Sequence, residues 1–313
     1  MASLVELFKE KDSNVRESAA RALGNQSALS DTIMAAFVEL FKHEDWRVRS
    51  SAARVLGNQS TLSETTVASL VELFREKDSS VRSSAAEALG NQSALSETTM
   101  VAFVELFKDE KSNVRSSAAE ALGKQSTLSE TTVASLVELF KDEDSNVRSS
   151  AAIALGKQSA LSDRTMAALV ELFKDEDWRV RSSAARVLGK QSTLSDTTTA
   201  ALVGLFRHED RRVRSSAARV LGNQSTLSDA TMAALVGLFK DEDSNVRRSA
   251  AEALGKESTL SETTMAAFVG LLKDEDSNVR RSAAEALGKQ STLSETTMAA
   301  LVELFKEKDS NVR

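Results

Sequence analysis

The hexapeptide LVELFK at residues 4–9 recurs, intact or as FVELFK, LVELFR, LVGLFK and close variants, beginning at residues 37, 70, 103, 136, 169, 202, 235, 268 and 301. The interval is 33 residues every time, and a fixed period of this size is the signature of a repeat architecture. Units starting at residues 4, 37, 70, 103, 136, 169, 202, 235 and 268, with a partial unit at 301–313, account for residues 1–313 as a single array with no linker and no second domain. Positions are counted below from the first residue of each unit, so that Leu4 is position 1.

Working outward from the hexapeptide, each unit divides into two amphipathic helices. Helix A, for example Ser294 to Lys306, opens with a serine suited to the N-cap and an acid in its first turn, and both favour a helix N-terminus. At 100° per residue Met298, Leu301, Val302, Leu304 and Phe305 gather on one broad face, which is expected to be buried. Helix B, DSNVRSSAAIALG in the fifth unit, is expected to start at Asp144 as N-cap and to end at Gly156, where a left-handed C-cap residue belongs. Its apolar stripe, Val147, Ala151, Ala154 and Leu155, is narrow and flanked by alanine and serine, which lets neighbouring backbones approach. One such hairpin cannot bury both stripes alone, so units must stack and share a core. No sheet is expected.

Composition narrows the functional classes. The 313 residues carry 40 Lys+Arg against 46 Asp+Glu, a formal net charge of -6, and include no proline, cysteine or tyrosine. Average usage would supply roughly fifteen prolines, about 5%. The absence of cysteine rules out disulfides, thiol nucleophiles and cysteine-ligated metals, and points to a cytoplasmic setting. No segment has the length of a membrane span. The two histidines, His43 and His208, sit five units apart at one repeat position and read as exposed turn residues, too distant to share a metal ion. Carboxylate pairs such as Asp142 and Glu143 recur without a histidine or nucleophile beside them, and each glycine of the ALG tripeptide closes a helix, leaving no phosphate loop. No enzyme, cofactor or metal is expected.

The pattern DxxVRxxAAxALG, followed by a short loop and an amphipathic helix ending in leucine-rich residues, resembles the HEAT repeat. It is most similar to the HEAT-like repeats named after phycobiliprotein lyases and to artificial alpha-repeat proteins built from their consensus. The residues that carry the resemblance are Asp12, Val15 and Arg16, then Asp45, Val48 and Arg49, and so on to Asp309, Val312 and Arg313. The residue after the Asp is Ser, Trp or Arg where that family usually has Pro. The resemblance implies an all-α, right-handed α-solenoid of about nine and a half two-helix units. It implies a ladder of these Asp and Arg side chains from unit to unit, with a local defect at Lys111, where the Asp is replaced. It also implies that helix B lines the concave side. A lyase role finds no reactive residue to support it.

Variation among the units separates packing from recognition. Positions 10, 11, 14 and 18 change charge and size together: Trp46, Arg47, Ser50 and Arg54 in the second unit, Trp178, Arg179, Ser182 and Arg186 in the sixth, Arg211, Arg212, Ser215 and Arg219 in the seventh. Positions 11, 14, 18 and 22 are spaced to form one stripe on helix B opposite its apolar stripe, and are expected to face solvent. Their formal charge sums to +9 over nine units, against -6 for the chain, with the acids concentrated at positions 3, 7, 8 and 28. Gly204, Gly237 and Gly270 replace Glu in helix A and are expected to soften it. The expected function is a non-catalytic scaffold that binds an acidic or extended protein or peptide through Trp46, Arg47, Arg54, Trp178, Arg179, Arg186, Arg211, Arg212 and Arg219, tryptophan and arginine being favoured at binding hot spots. A structural spacer or sensor arm is the first alternative. Nucleic-acid backbone binding is the second, opposed by Glu17, Glu87, Glu120, Glu252 and Glu285 on the same stripe. No membrane partner is expected. Because neither end carries a polar capping repeat, a segment of a longer array, or end-to-end self-association, is also expected.

Overall fold

The structure is a computed structural model that describes residues 12–24, 28–158 and 160–304, together with Leu7, Glu10 and Gln26. Residues 305–313, with Phe305, Asp309, Val312 and Arg313, lie outside the described residues, as does most of the first helix A. The odd-numbered elements are helix B: α1 Ser13–Gly24, α3 Trp46–Gly57, α5 Ser79–Gly90, α7 Ser112–Leu122, α9 Ser145–Leu155, α11 Trp178–Leu188, α13 Arg211–Leu221, α15 Ser244–Leu254 and α17 Ser277–Gly288. The even-numbered ones are helix A: α2 Asp31–Glu39, α4 Glu64–Glu72, α6 Glu97–Leu106, α8 Glu130–Glu138, α10 Asp163–Glu171, α12 Asp196–Gly204, α14 Asp229–Gly237, α16 Glu262–Leu271 and α18 Glu295–Leu304. Among the described residues there is no strand. The helices fall into two compact units, Met1–Leu161 and Ser162–Arg313. Within each, successive B helices pack side by side and each A helix packs on the B helix of its hairpin.

Most of the expected N-caps form, although Ser30 before α2 makes no side-chain capping bond. Ser63 accepts from the backbone N–H of Thr66 at the start of α4, and Asp144 accepts from that of Asn146 at the start of α9. At α7 the N-cap is Lys111, which offers no such bond. Several A helices tighten into a 3-10 turn over their last residues, as at Leu139–Lys141. The core is the repeat itself: Phe37, Leu70, Phe103 and Leu136 at position 1 of helix A are fully buried against Val48, Val81, Val114 and Val147 of helix B. Each such side chain contributes about 1.5–3 kcal/mol. The broad apolar face expected of α18 is only partly covered, since Met298 and Val302 remain about half exposed. Their counterparts Met265 and Val269 are half-buried, and no described helix lies beyond α18 to do the same.

The unit-to-unit ladder exists, with the expected acid at two seams and a different one at several others. Arg82 donates from Nε and Nη2 to both carboxylate oxygens of Asp109 at 2.6 and 2.8 Å, while its Nη1 holds the carbonyls of Glu76 and Lys77. Arg115 with Asp142, Arg214 with Asp241 and Arg247 with Asp274 repeat the arrangement. Where position 7 carries Asp, that residue is the partner at these seams. Where it carries histidine, in the second and seventh units, the Asp at position 9 takes the arginine as expected while also capping its helix, Arg16 meeting Asp45 at 2.8 Å and Arg181 meeting Asp210 at 3.4 Å. At Lys111 the defect is confined to the cap, because Asp109 carries the ladder there.

Two further expectations are corrected. No glycine among the described residues has positive φ, and Gly156 is right-handed at φ -68°, ψ -3°. The glycine that closes helix B serves close packing instead: a Cβ on Gly57 would lie 2.4 Å from Ala88 Cα, and one on Gly222 2.4 Å from Ala253 Cβ. Position 14 does not face solvent uniformly. Its serines bond to position 15 of the next unit, as in Ser50 with Ser84 at 2.8 Å and Ser83 with Ser117 at 2.6 Å. The backbone at Gly204 and Gly237 stays right-handed helical, and a Cβ there would meet nothing within 4 Å, so helix A keeps its course.

Candidate interaction surface

Three residues of the seventh unit loosen one seam in the second compact unit. Position 7 is His208, whose Nδ1 accepts the N–H of Asp210 at 3.0 Å, as an aspartate oxygen does elsewhere. It is half-buried in that turn, which corrects its reading as a free surface residue, and His43 is held likewise by Asp45. A neutral imidazole used in this way offers nothing to the preceding arginine, so Arg181 turns to Asp210 at 3.4 Å, as Arg16 turns to Asp45 at 2.8 Å before His43. At position 19, Val220 stands where most units have alanine. A Cβ placed on Gly189 would lie an ordinary 3.9 Å from Val220 Cγ2, where at the alanine units such a Cβ would clash with the facing backbone. At position 10, Arg211 projects across to Asp243.

The result is a groove of about 340 Å³ between α11, α13 and the start of α15. Phe173, Trp178, Arg181, Ser182, Arg211, Arg212, Ser216, Arg219, Asp243 and Arg248 line it. A smaller hollow of about 230 Å³ continues along α11 and α13 past Arg186 and Arg219. Ser182 and Ser216, which would bond to each other in a closed seam, both line the groove and are not joined. Five arginines face one carboxylate there. Arg211 holds Asp243 below the usual carboxylate range, although burial alone would raise it. Arg186 and Arg212 carry no ion pair, and Arg219 has only a hydrogen bond to Ser216 Oγ at 3.2 Å. Such uncommitted guanidinium groups are suited to carboxylate and phosphate oxygens.

The residues singled out from sequence separate into two places. Trp178, Arg211, Arg212 and Arg219 meet in the groove, Arg186 lines its continuation, and Arg179 lies over the Trp178 ring at 5.3 Å, a cation–π contact. Trp46, Arg47 and Arg54 belong to the first compact unit. There Arg47 lies over Trp46 at 4.9 Å and Arg54 bonds to Ser51. Trp46 is half-buried and packs on the core, because Gly57 and Ala88 let α5 close on α3. Trp178 faces the loosened seam and is 59% exposed. Sequence reasoning missed Arg181, Arg248 and Asp243; His208 and Val220 were no signal by themselves, because His43 and Val55 stand at the same positions of the second unit, and only Arg211 at position 10 sets the seventh unit apart. Among the described residues, no cluster of three or more histidine or carboxylate side chains could hold a metal, and no helix is long and apolar enough to cross a membrane.

Within each compact unit, tandem two-helix hairpins joined mostly by arginine and glycine contacts are the pattern of an all-α solenoid. HEAT repeats match at residues 1–90, 100–189, 133–222, 198–263 and 231–313, and the chain belongs to the HEAT-repeat family. It is similar over 99% of its length to the crystal structure of an engineered protein from a structural genomics consortium, with 25% identity, TM-score 0.51 and 95% of that chain covered. It is also similar, at 16% identity and TM-score 0.62 over 97% of its length, to a chain of the structure in which Kap95p binds RanGDP, and spans 47% of that chain. No curated protein matches it. Solenoids of this family typically mediate protein–protein interaction.

Proposed function

We propose that the chain is a non-catalytic scaffold that binds an acidic, extended protein partner on its helix B face, with the groove between α11, α13 and α15 as the principal contact. The observation that carries this reading is the convergence of five arginines and an exposed indole in a concave seam that neighbouring repeats keep closed. Buried aromatic and arginine anchors dominate most protein interfaces. Trp46, Arg47 and Arg54 form a second, shallower contact in this reading. Exposed Glu87, Glu120, Glu252 and Glu285 on other B helices favour a peptide over a nucleic-acid backbone. The absence of cysteine supports a cytoplasmic setting.

The test replaces Trp178→Ser, Arg179→Asn, Arg211→Ser and Arg212→Asn together, the residues found at these positions in other units. A fluorescent glutamate-rich peptide should bind the parent chain and lose binding to this variant at unchanged helical circular dichroism. Equal binding by both removes the groove from the account. A single-stranded oligonucleotide that binds more tightly, with affinity falling steeply with salt, would replace the protein partner by a nucleic acid.

A further inference from the structure

The groove and its continuation run across B helices that come one per repeat. Arg186 and Arg219 occupy the same repeat position on α11 and α13 and both line the continuation, whereas on α15 that position is Glu252, 3.8 Å from Arg248 one turn earlier. Packed helices stand roughly 8–10 Å apart, and the loosened α11–α13 seam is not the tighter case. A ligand lying across α11 and α13 therefore meets two guanidinium groups about 10 Å apart.

We infer that the groove reads acidic side chains spaced three residues apart on an extended chain, a specificity that rests on the function proposed above. An extended or polyproline-type backbone rises about 3.1–3.3 Å per residue, so three residues span one repeat. In the polyproline geometry three residues also complete a turn, and every third side chain points the same way. Acids at alternate residues fall about 3 Å short at each step, and consecutive acids can engage one helix only. Trp178 precedes Arg186 by eight residues on α11, about 12 Å along the helix, and lines the groove beside that path.

Three peptides of equal length and charge, with three glutamates placed consecutively, at every second or at every third residue, test this. They are titrated into the full chain carrying Trp46→Phe, so that fluorescence reports Trp178 alone. The every-third peptide is expected to bind about tenfold more tightly than the other two, the effect of one or two ion pairs out of register. That preference should vanish in the Arg186→Ser, Arg219→Ser chain. Equal affinity of all three peptides overturns the register and leaves binding by charge alone. A gain of helical circular dichroism in the bound peptide overturns the extended geometry. Absence of binding by any peptide overturns the proposed function itself.

Discussion

Alanine at one repeat position should have opposite effects in two neighbouring units. Gly222 and Gly189 both close a B helix. A Cβ on Gly222 would lie 2.4 Å from Ala253 Cβ and 2.5 Å from its Cα, where about 3.5–4.0 Å is the relaxed separation. α13 and α15 would have to part by about 1 Å, an overpacking cost of about 1–3 kcal/mol. Replacing glycine in a helix returns about 1 kcal/mol of propensity, so Gly222→Ala should cost about 1–2 kcal/mol net. On Gly189 the nearest atoms outside its own helix are Asn223 Nδ2 at 3.0 Å, the end of an exposed side chain that can turn away, and Val220 Cγ2 at 3.9 Å. Gly189→Ala should therefore stabilise by about 0.5–1 kcal/mol. Urea denaturation followed by circular dichroism reads the sign. Amide exchange on α13 and α15 localises it, because long repeat arrays depart from two-state unfolding. Equal destabilisation by the two substitutions would show that the α11–α13 seam is as tight as its neighbour and would remove the physical basis of the groove.

Other expectations follow from the seams. Asp109→Asn should cost about 3–5 kcal/mol at pH 7 by leaving the buried Arg82 without its anion. Burial opposes ionisation of Asp109, but the hydrogen bonds from Arg82 and from the Lys111 N–H hold its pKa below the usual carboxylate range. Its contribution is thus complete above the unfolded value near 3.9 and is lost as pH falls through the lower folded value, so the urea midpoints of parent and variant should converge in acid. Lys111→Asp should restore the missing cap of α7 and add about 1 kcal/mol without altering the ladder, measured by the same denaturation. Glu257 occupies the position of the glutamines whose Nε2 bonds to the preceding unit, as in Gln125 to Gln92, and burial raises its pKa despite a hydrogen bond from the Leu227 N–H. Glu257→Gln should stabilise by about 1 kcal/mol at pH 7. Since the raised pKa makes the charged form the unfavourable one, that gain should shrink as pH falls through the folded value towards the unfolded one near 4.3.

The period, the two helices and their caps were legible because each rests on a local rule repeated in every unit: a serine or aspartate before an apolar run of period 3.6, with leucine at fixed positions. The ladder was legible in kind but not in partner. Two aspartates two residues apart are equally placed in sequence, and only the folded turn shows that Asp144 is bound to its own helix while Asp142 is free to meet Arg115. The helix-closing glycine was read from its position as a left-handed cap. Its role in close approach depends on the alanine that faces it one unit later, and valine stands in that place at Val55 and Val187 as well as at Val220, so the substitution marked three seams and not one. Trp46 and Trp178 occupy the same position with the same arginine beside them, and sequence gave no reason to separate them. Their exposure is decided by the following helix, which closes over Trp46 through Ala88 and stands off from Trp178 through Val220.

The chain contains no cysteine, so cysteine pairs introduced at exposed positions of helix B ends can be spin-labelled without interference. Labels at Lys190 and Asn223 report the α11–α13 seam, and labels at Asn223 and Lys256 report the α13–α15 seam; all three positions are exposed. Dipolar distance measurements should give a longer separation for the first pair than for the second, and Val220→Ala with His208→Asp should bring the first down to the second. Equal distances in the unaltered protein would contradict a binding groove built by loosening one seam of the array.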